Sequence, residues 1–373
     1  TGDKTVLTQA LAAIDAALEE VSQTQFRQQW TSAQNNHGNI LLTLGELDGD
    51  PSKLEEAARV HERLLTALNR TEAPLEWARI QNNLGNDLRI IAATESGTDK
   101  LRRAIAAFKA ALEERTRERT PLDWAQSQSN LGAALSLLSR RESDPALREE
   151  ALAAYQAALE VATRTTAPMQ WARTQFNLAS TLKSQVGDNE PNLEDVREAI
   201  RLYREVLEVA RKETEPVIWA AVQRSLGSAL REVAIRERDL TLYEASLAAI
   251  EASLEIRTRE RFPELWTSTQ LSLASTLFGL GELTGDVDRI SGGVEAYRHF
   301  ITGQSKDDDP LDWAQHHYLI GIFSLKVAAA TDETAAWRYV EEAFRQARSD
   351  ALRRHAPQEW LMATYYLANA AGI

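Results

Sequence analysis

Cysteine is absent from this chain of 373 residues, so disulfide bonds and thiolate chemistry are excluded. No apolar run approaches the roughly 18 residues that a membrane-spanning helix needs. Residues 1–20 lack the basic start and apolar segment of a signal peptide. The net charge of −13 argues against sequence-independent binding of nucleic acid. We therefore expect a folded cytoplasmic protein with neither a membrane nor a nucleic acid as its partner.

Tryptophan recurs along the chain at a fixed period. Successive members of the series are 47 residues apart, except for one interval of 48. Self-similarity at such a period is typical of solenoids, in which each unit buries its apolar face against its neighbours. The series is Trp30, Trp77, Trp124, Trp171, Trp219, Trp266, Trp313 and Trp360.

Proline stands three residues before each of these tryptophans except the first, where Arg27 replaces it. Since proline is tolerated in the first turn of a helix, a helix is predicted to begin near each one. We call it the A helix. Tryptophan, the glutamine four later and the leucine seven later share one of its faces, as do Trp77, Gln81 and Leu84. A glycine or alanine follows that leucine, which lets another helix approach closely.

A second amphipathic segment, the B helix, follows each A helix after a polar loop. It carries a small residue, an aromatic residue four later and another small residue three after that, as in Ala104, Phe108 and Ala111. Leu-Gly in the A helix followed by this pattern resembles the tetratricopeptide repeat along essentially the whole chain. That family's usual period is about 34 residues. The longer unit here, Pro-x-x-Trp-x3-Gln-x2-Leu-Gly, indicates longer helices and a longer tip loop.

The resemblance implies an all-α fold, an α-solenoid of antiparallel helix pairs wound into a right-handed superhelix. We predict about sixteen helices in a single solenoid over 1–373. Repeats begin near 27, 74, 121, 168, 216, 263 and 310. A B helix without a preceding A helix opens the chain at 4–22, and an A helix without a following B helix closes it at 357–371.

The resemblance also implies that the A helices line a concave groove. A row of asparagines six residues after tryptophan lies opposite the tryptophan face, where its amides could pair with the backbone of an extended peptide. Tetratricopeptide superhelices use asparagine ladders next to their Leu-Gly. The alternative is that each amide pairs with a neighbouring repeat. The row is Asn36, Asn83, Asn130 and Asn177.

The A helices are neutral to basic, although the molecule as a whole is acidic. The predicted groove residues include six cations. If they bind an acidic ligand, reversing the charge at Arg173 and Arg224 should weaken binding. A basic strip would attract an acidic ligand, and arginine suits bidentate contact with carboxylates. The alternative is that these are ordinary surface charges. The cations are Arg79, Arg89, Arg173, Lys183, Arg224 and Arg231.

The eight tryptophans are predicted to form the structural repeat core, as wedges between repeats. The glutamines four residues later face the same core, so a structural hydrogen bond is favoured over ligand contact.

No sequence motif of an enzyme is found, since nucleophile, phosphate-loop and HExxH patterns are missing. His37 and His61 could approach each other, but without an obvious carboxylate they are better explained as core histidines than as a metal site. We expect no catalytic residue, no metal and no cofactor.

The favoured function is a non-catalytic protein–protein interaction scaffold that binds an extended, acidic partner segment in its groove. Two alternatives stay open. The chain could be the sensor arm of a larger bacterial signalling protein, because long arrays of this kind accompany effector domains. It could also assemble end to end through its terminal helices, since the last helix is apolar and uncapped.

Overall fold

The computed structural model describes residues 4–20, 26–184, 192–307, 309–331 and 334–370. The chain divides into two compact units, Thr1–Asn192 and Leu193–Ile373. Seventeen α-helices and no strand are found in these ranges. The chain therefore has an all-α fold, with one helix more than the sixteen predicted. The prediction that both units form one solenoid remains a prediction.

Unit 1 contains eight helices, in which A and B helices alternate. The opening B helix ends at Glu20, and the predicted residues 21 and 22 lie outside the described ranges. The helices are α1 (Lys4–Glu20), α2 (Arg27–Asp48), α3 (Pro51–Ala67), α4 (Pro74–Thr94), α5 (Asp99–Glu114), α6 (Pro121–Glu142), α7 (Pro145–Leu159) and α8 (Pro168–Lys183).

Unit 2 contains nine helices. The additional one, α16, is a single short turn capped by Ser349, whose hydroxyl accepts from the Leu352 amide at 3.0 Å. The helices are α9 (Leu193–Val209), α10 (Pro216–Glu237), α11 (Leu240–Leu254), α12 (Pro263–Thr284), α13 (Val287–Ile301), α14 (Pro310–Thr331), α15 (Thr334–Ala347), α16 (Asp350–His355) and α17 (Pro357–Ala370).

Helices begin at every proline of the repeat motif, as the stereochemistry of proline favours. Four B helices instead begin after an aspartate whose carboxylate accepts from backbone amides of the first turn. The residue before that aspartate ends the A helix in the left-handed conformation. Its φ is 61° at Gly49 and 72° at Gly285, and 54° at both Ser143 and Arg238.

In several pairs, the A and B helices pack through a small residue on A and a large one on B. A Cβ added to Gly85 would lie 2.7 Å from the ring of Phe108, and one on Gly132 would lie 2.8 Å from the ring of Tyr155. His61 occupies the same place against Gly38. Each A helix also contacts neighbouring A helices, as α6 contacts α4 and α8 in unit 1 and α10 contacts α12 in unit 2.

Candidate functional site

The eight tryptophans of the repeat are half-buried, and seven of them, all but Trp30, have a cation over the ring. Trp124 packs against Ala158 and Ala162. The Arg117 guanidinium carbon lies 5.8 Å from its ring centre. Such cation–π contacts contribute about 0.5–1 kcal/mol at exposed sites.

The cation comes from the same register in seven repeats, seven residues before tryptophan. The sequence carried this signal in the charged stretch before each proline, but a charged stretch by itself is typical of a solvated helix end. The pairs are Arg70–Trp77, Arg117–Trp124, Arg164–Trp171, Lys212–Trp219, Arg259–Trp266, Lys306–Trp313 and Arg353–Trp360.

Two amides of the asparagine row connect neighbouring A helices. Asn83 donates through Nδ2 to Oδ1 of Asn35 at 2.8 Å, and Asn130 donates likewise to Asn82 at 3.1 Å. The acceptors are buried and stand five residues after tryptophan, a position that the sequence analysis did not select. The amide nitrogens of Asn83 and Asn130 therefore pair with the neighbouring repeat, as the alternative interpretation states.

The other members of the row differ. Asn36 is exposed on α2, and Asn177 is half-buried on α8 without a hydrogen bond to any described residue. The oxygens of Asn83 and Asn130 also accept no hydrogen bond from the part of the chain that the structure describes. Ligand binding by the row was a prediction and stays one.

A cleft of about 360 Å³ opens between the A helices α6 and α8 of unit 1. It brings together three of the predicted groove residues, Asn130, Arg173 and Asn177. The remaining lining residues are Gln126, Ser129, Met169, Gln170 and Thr174. Apart from Met169, every side chain that lines the cleft is polar, and the exposed Arg173 is the only charged one.

The other predicted groove cations lie in three different surroundings. Arg79 pairs with Glu76 at 3.3 Å, one turn earlier on α4. Arg89 donates to Asn86 at 2.9 Å, and its burial lowers its pKa, an effect that Glu46 opposes. Lys183 stands in the last turn of α8.

Arg224 and Arg231 lie on α10 in unit 2, apart from the α6–α8 cleft. Both are half-buried, and burial lowers the pKa of each. The Nε atom of each is buried without a hydrogen-bond partner. These two arginines are therefore more buried than ordinary surface charges.

The two histidines that were interpreted as core residues, His37 and His61, pair with separate carboxylates. His37 Nε2 lies 3.1 Å from Asp15, and His61 Nδ1 lies 2.5 Å from Asp87 in a fully buried pair. The expectation that they lack carboxylate partners was wrong, because Asp15 and Asp87 come from other helices. Burial raises the pKa of Asp87, while His61 lowers it. No group of three or more metal-ligating side chains is found among the described residues.

The glutamines that follow the tryptophans are buried or half-buried. Gln175 is 7% exposed and Gln270 is 8% exposed. At the register of these glutamines in α14, His317 instead lies 3.9 Å from the Trp313 ring, centre to centre.

No helix of the described residues is long and apolar enough to cross a membrane.

No protein-family model matches the chain, and no curated protein matches it. Its fold is similar to that of a Rap protein complexed with Competence and Sporulation Factor. That match has a TM-score of 0.53 at 11% identity and covers 97% of this chain and 91% of the other. This likeness supports a tetratricopeptide-type helical repeat fold, an α-solenoid.

Two further solved structures match the chain over nearly its whole length. The apo form of RapI is 13% identical, with a TM-score of 0.48, and the match covers 98% of this chain and 97% of that one. The apo form of the quorum sensor NprR from B. thuringiensis is also 13% identical, with a TM-score of 0.49, over 100% of this chain and 99% of that one.

Proposed function

We propose that this chain is a non-catalytic scaffold that binds an extended, acidic segment of a partner protein along its A helices. The observation that carries the proposal is the polar α6–α8 cleft, which gathers Asn130, Arg173 and Asn177. The Asn177 amide and the Asn130 oxygen can pair with peptide backbone in such a cleft, whatever the peptide sequence. The likeness in fold to a Rap protein solved with Competence and Sporulation Factor agrees with ligand binding by this type of repeat.

Charge favours an acidic ligand. Arg173 is exposed at the cleft and forms no ion pair with any residue that the structure describes. A carboxylate entering the cleft would find this guanidinium uncompensated, and the pair would be charge-assisted. Since the molecule as a whole carries a net charge of −13, a local basic site would also orient an acidic segment towards this surface.

Binding can be measured by fluorescence anisotropy with a labelled oligoglutamate peptide and the full-length chain. We expect Arg173→Glu to weaken binding by about tenfold or more, because it replaces a charge-assisted pair with repulsion. Asn177→Ala is the second variant, since its amide bonds to no described residue and its loss leaves the asparagine pairs intact. Lys109→Glu is the control, an exposed charge reversal on the B helix α5.

Equal losses in Arg173→Glu and Lys109→Glu would mean that only the net charge matters. No loss in either cleft variant would place binding elsewhere. The same variants in a pull-down from the native organism would show whether one specific partner depends on the cleft. If the gene also encodes an effector domain in the same polypeptide, the sensor-arm alternative is favoured.

End-to-end self-association is a second candidate, supported by the exposed apolar side chains of α17. Leu361 and Tyr365 are each 60% exposed. Exposed apolar residues grouped on one helix are typical of an interaction surface. Sedimentation velocity over a wide concentration range tests this candidate, and a monomer throughout would eliminate it.

A further inference from the structure

Arg257 is a buried cation of unit 2 without a carboxylate partner. It lies just after α11, is 5% exposed and has only a long hydrogen bond from Nη1 to the Thr269 hydroxyl, at 3.4 Å. Its Nε atom is buried without a partner. Burial lowers the pKa of Arg257 to about 10, and the neighbouring Arg224 adds to this effect. Buried charges are ordinarily paired in folded proteins, so this arrangement requires an explanation.

Arg224 is a second cation near enough to lower the pKa of Arg257, and in unit 1 the equivalent positions, Asn82 and Arg115, both bond to Ser127. The Nε atom of Arg224 is also buried without a partner. Neither Arg224 nor Arg257 forms an ion pair with a residue in the described parts of unit 2. Two guanidinium groups that repel each other inside a protein are unfavourable unless an anion joins them.

Unit 1 contains the equivalent arginine with a different environment. Arg115 stands nine residues before its tryptophan, as Arg257 does, and is likewise 5% exposed. It donates to the Ser127 hydroxyl at 3.1 Å, and Ser127 in turn donates to Asn82 at 3.0 Å. Burial lowers the pKa of Arg115, the carboxylate of Asp123 acts in the opposite direction, and Arg79, which is itself paired with Glu76, adds to the lowering.

Two sequence differences at equivalent repeat positions leave unit 2 without the compensation that unit 1 has. Leu265 stands immediately before Trp266, where unit 1 has the acidic Asp123 before its tryptophan. Arg224 stands five residues after tryptophan, where unit 1 has the amide of Asn82. The first change moves the acidic residue one position earlier, to the exposed Glu264, which does not oppose the lowered pKa of Arg257, and the second adds a positive charge. The site in unit 2 therefore lacks a counter-charge that the same architecture has in unit 1.

A third cation lies on the same side of the same helix. Arg231 follows Arg224 by seven residues, which is two helical turns or about 10.5 Å along the axis. It is half-buried, and its Nε atom also has no partner. Helix α10 thus presents two unpaired guanidinium groups in a line.

We infer that Arg224 and Arg257 form a binding site for one carboxylate group, the carboxylate site, and that Arg231 receives a second. The planar guanidinium fork matches the two oxygens of a carboxylate, and a ligand carboxylate would supply the counter-charge that Leu265 does not. The inference deepens the proposed function, because it assigns the carboxylates to acidic side chains of a peptide. A free small carboxylate is the other source of the same chemistry.

The spacing of the arginines selects a pattern in the ligand. In the polyproline II conformation, residues three apart share a face and are about 9 Å apart. This distance is close to the separation of Arg224 and Arg231. The ligand of unit 2 is therefore an extended segment with two acidic residues separated by two others.

Calorimetric titration of the full-length chain at low ionic strength tests the inference. The probes are a capped Glu-Pro-Pro-Glu peptide, a capped Pro-Glu-Glu-Pro peptide of the same composition and charge, and sodium acetate. We expect the first peptide to bind about tenfold more tightly than the second, since only its acidic groups reach both arginines. Arg224→Asn, which restores the amide found at Asn82, is expected to weaken binding of the first peptide about tenfold.

A second measurement separates a binding role from a structural one. Arg224→Asn removes a like-charge contact, so the thermal midpoint of the ligand-free protein should rise. A fall in that midpoint, or unaltered peptide binding, would overturn the inference. Arg204→Asn on α9 is the matched control, because it removes an exposed arginine from the same unit.

The result of this titration can be distinguished from the result of the Arg173 binding assay in unit 1. Acetate binding that depends on Arg224, with no peptide bound more tightly than acetate, would support the carboxylate site and reject a peptide as its source. Peptide binding that depends on Arg173 but not on Arg224 would support the proposed function and reject the carboxylate site.

Discussion

The Arg70 guanidinium carbon lies 4.7 Å from the centre of the Trp77 ring, and the same geometry recurs at the next six tryptophans of the series. Arg70 also bridges to Glu113 and Glu114 of the following B helix, each at 2.7 Å. A single side chain thus covers the tryptophan of the A helix that follows it, α4, and connects it to the end of α5. The repeat is therefore held by a cation as well as by its apolar face.

Arg259 offers the simplest test of this cation–π contact. It lies 5.6 Å over Trp266, and it forms no ion pair among the described residues. Arg259→Met should lower the free energy of unfolding by about 0.5–1 kcal/mol, because it retains the aliphatic packing and loses the charge. Urea unfolding followed by tryptophan fluorescence measures the difference. Arg259→Lys should recover most of it; if Lys and Met behave alike, the charge over the ring contributes nothing.

Gly132 tests the close approach of A and B helices. A Cβ at this position would lie 2.8 Å from Cε1 of Tyr155, and both helices are packed around the ring. Gly132→Ala should destabilise the protein by about 1–2 kcal/mol, since overpacking outweighs the better helix propensity of alanine. Thermal unfolding of the full chain measures the effect. The control is Gly97→Ala, because no atom lies within 4 Å of the added Cβ there.

Arg238 ends α10 with φ at 54°, a left-handed conformation that costs a residue with a Cβ about 1–2 kcal/mol. Glycine occupies the same register at Gly49 and Gly285. We therefore expect Arg238→Gly to raise the free energy of unfolding by about 1 kcal/mol, with Gly285→Ala causing a loss of similar size. Equilibrium denaturation of both variants decides the matter. A decrease for Arg238→Gly would show that the arginine side chain contributes more than its backbone strain costs.

Asp50 predicts a dependence of stability on pH. Hydrogen bonds from Lys53 and Ser52 hold the pKa of its carboxyl group well below the usual range. A folded-state pKa below the unfolded value, about 3.9, means that the stabilisation is complete above that pH and is lost as pH falls towards the folded value. The difference in thermal midpoint between the wild type and Asp50→Ala should therefore shrink on acidification from pH 5.

Asp50→Asn is the matched variant for this titration, because its amide oxygen can still cap α3 but cannot be protonated in this range. Its midpoint should respond less to acid than that of the wild type. A gap between wild type and Asp50→Ala that stays constant down to the acid limit would contradict the assigned role of the carboxylate.

Local features of the fold were predictable from the sequence. Proline restricts its own backbone and lacks an amide hydrogen, so helix starts such as Pro74 and Pro121 follow from the sequence alone. Packing of Phe108 against Gly85 follows from the repeated small and aromatic positions. The short helix α16 was missed, because it lies where other repeats have a turn before the proline, and the repeat pattern does not distinguish the two.

Contacts of the candidate site were predicted less well. A helical wheel places Asn83 opposite Trp77, yet it cannot say that Asn35 of another helix will lie 2.8 Å away. It also gave no reason to select Arg257, whose importance depends on the neighbouring Arg224 and on what Leu265 lacks. The cation seven residues before tryptophan was visible, but a charge run by itself usually indicates a solvated surface.

The sequence by itself determined the period, the phase of each helix and the residues that share a face, because these depend on backbone stereochemistry and on the 3.6-residue turn. Only the tertiary structure decided which polar atoms are paired and which charges are buried without a partner. Pairs such as Asn130 with Asn82, and neighbours such as Arg224 and Arg257, come from different segments of the chain, and their separation depends on how the helices pack. The tryptophans define the repeat, while the polar residues between the A helices carry the candidate binding chemistry.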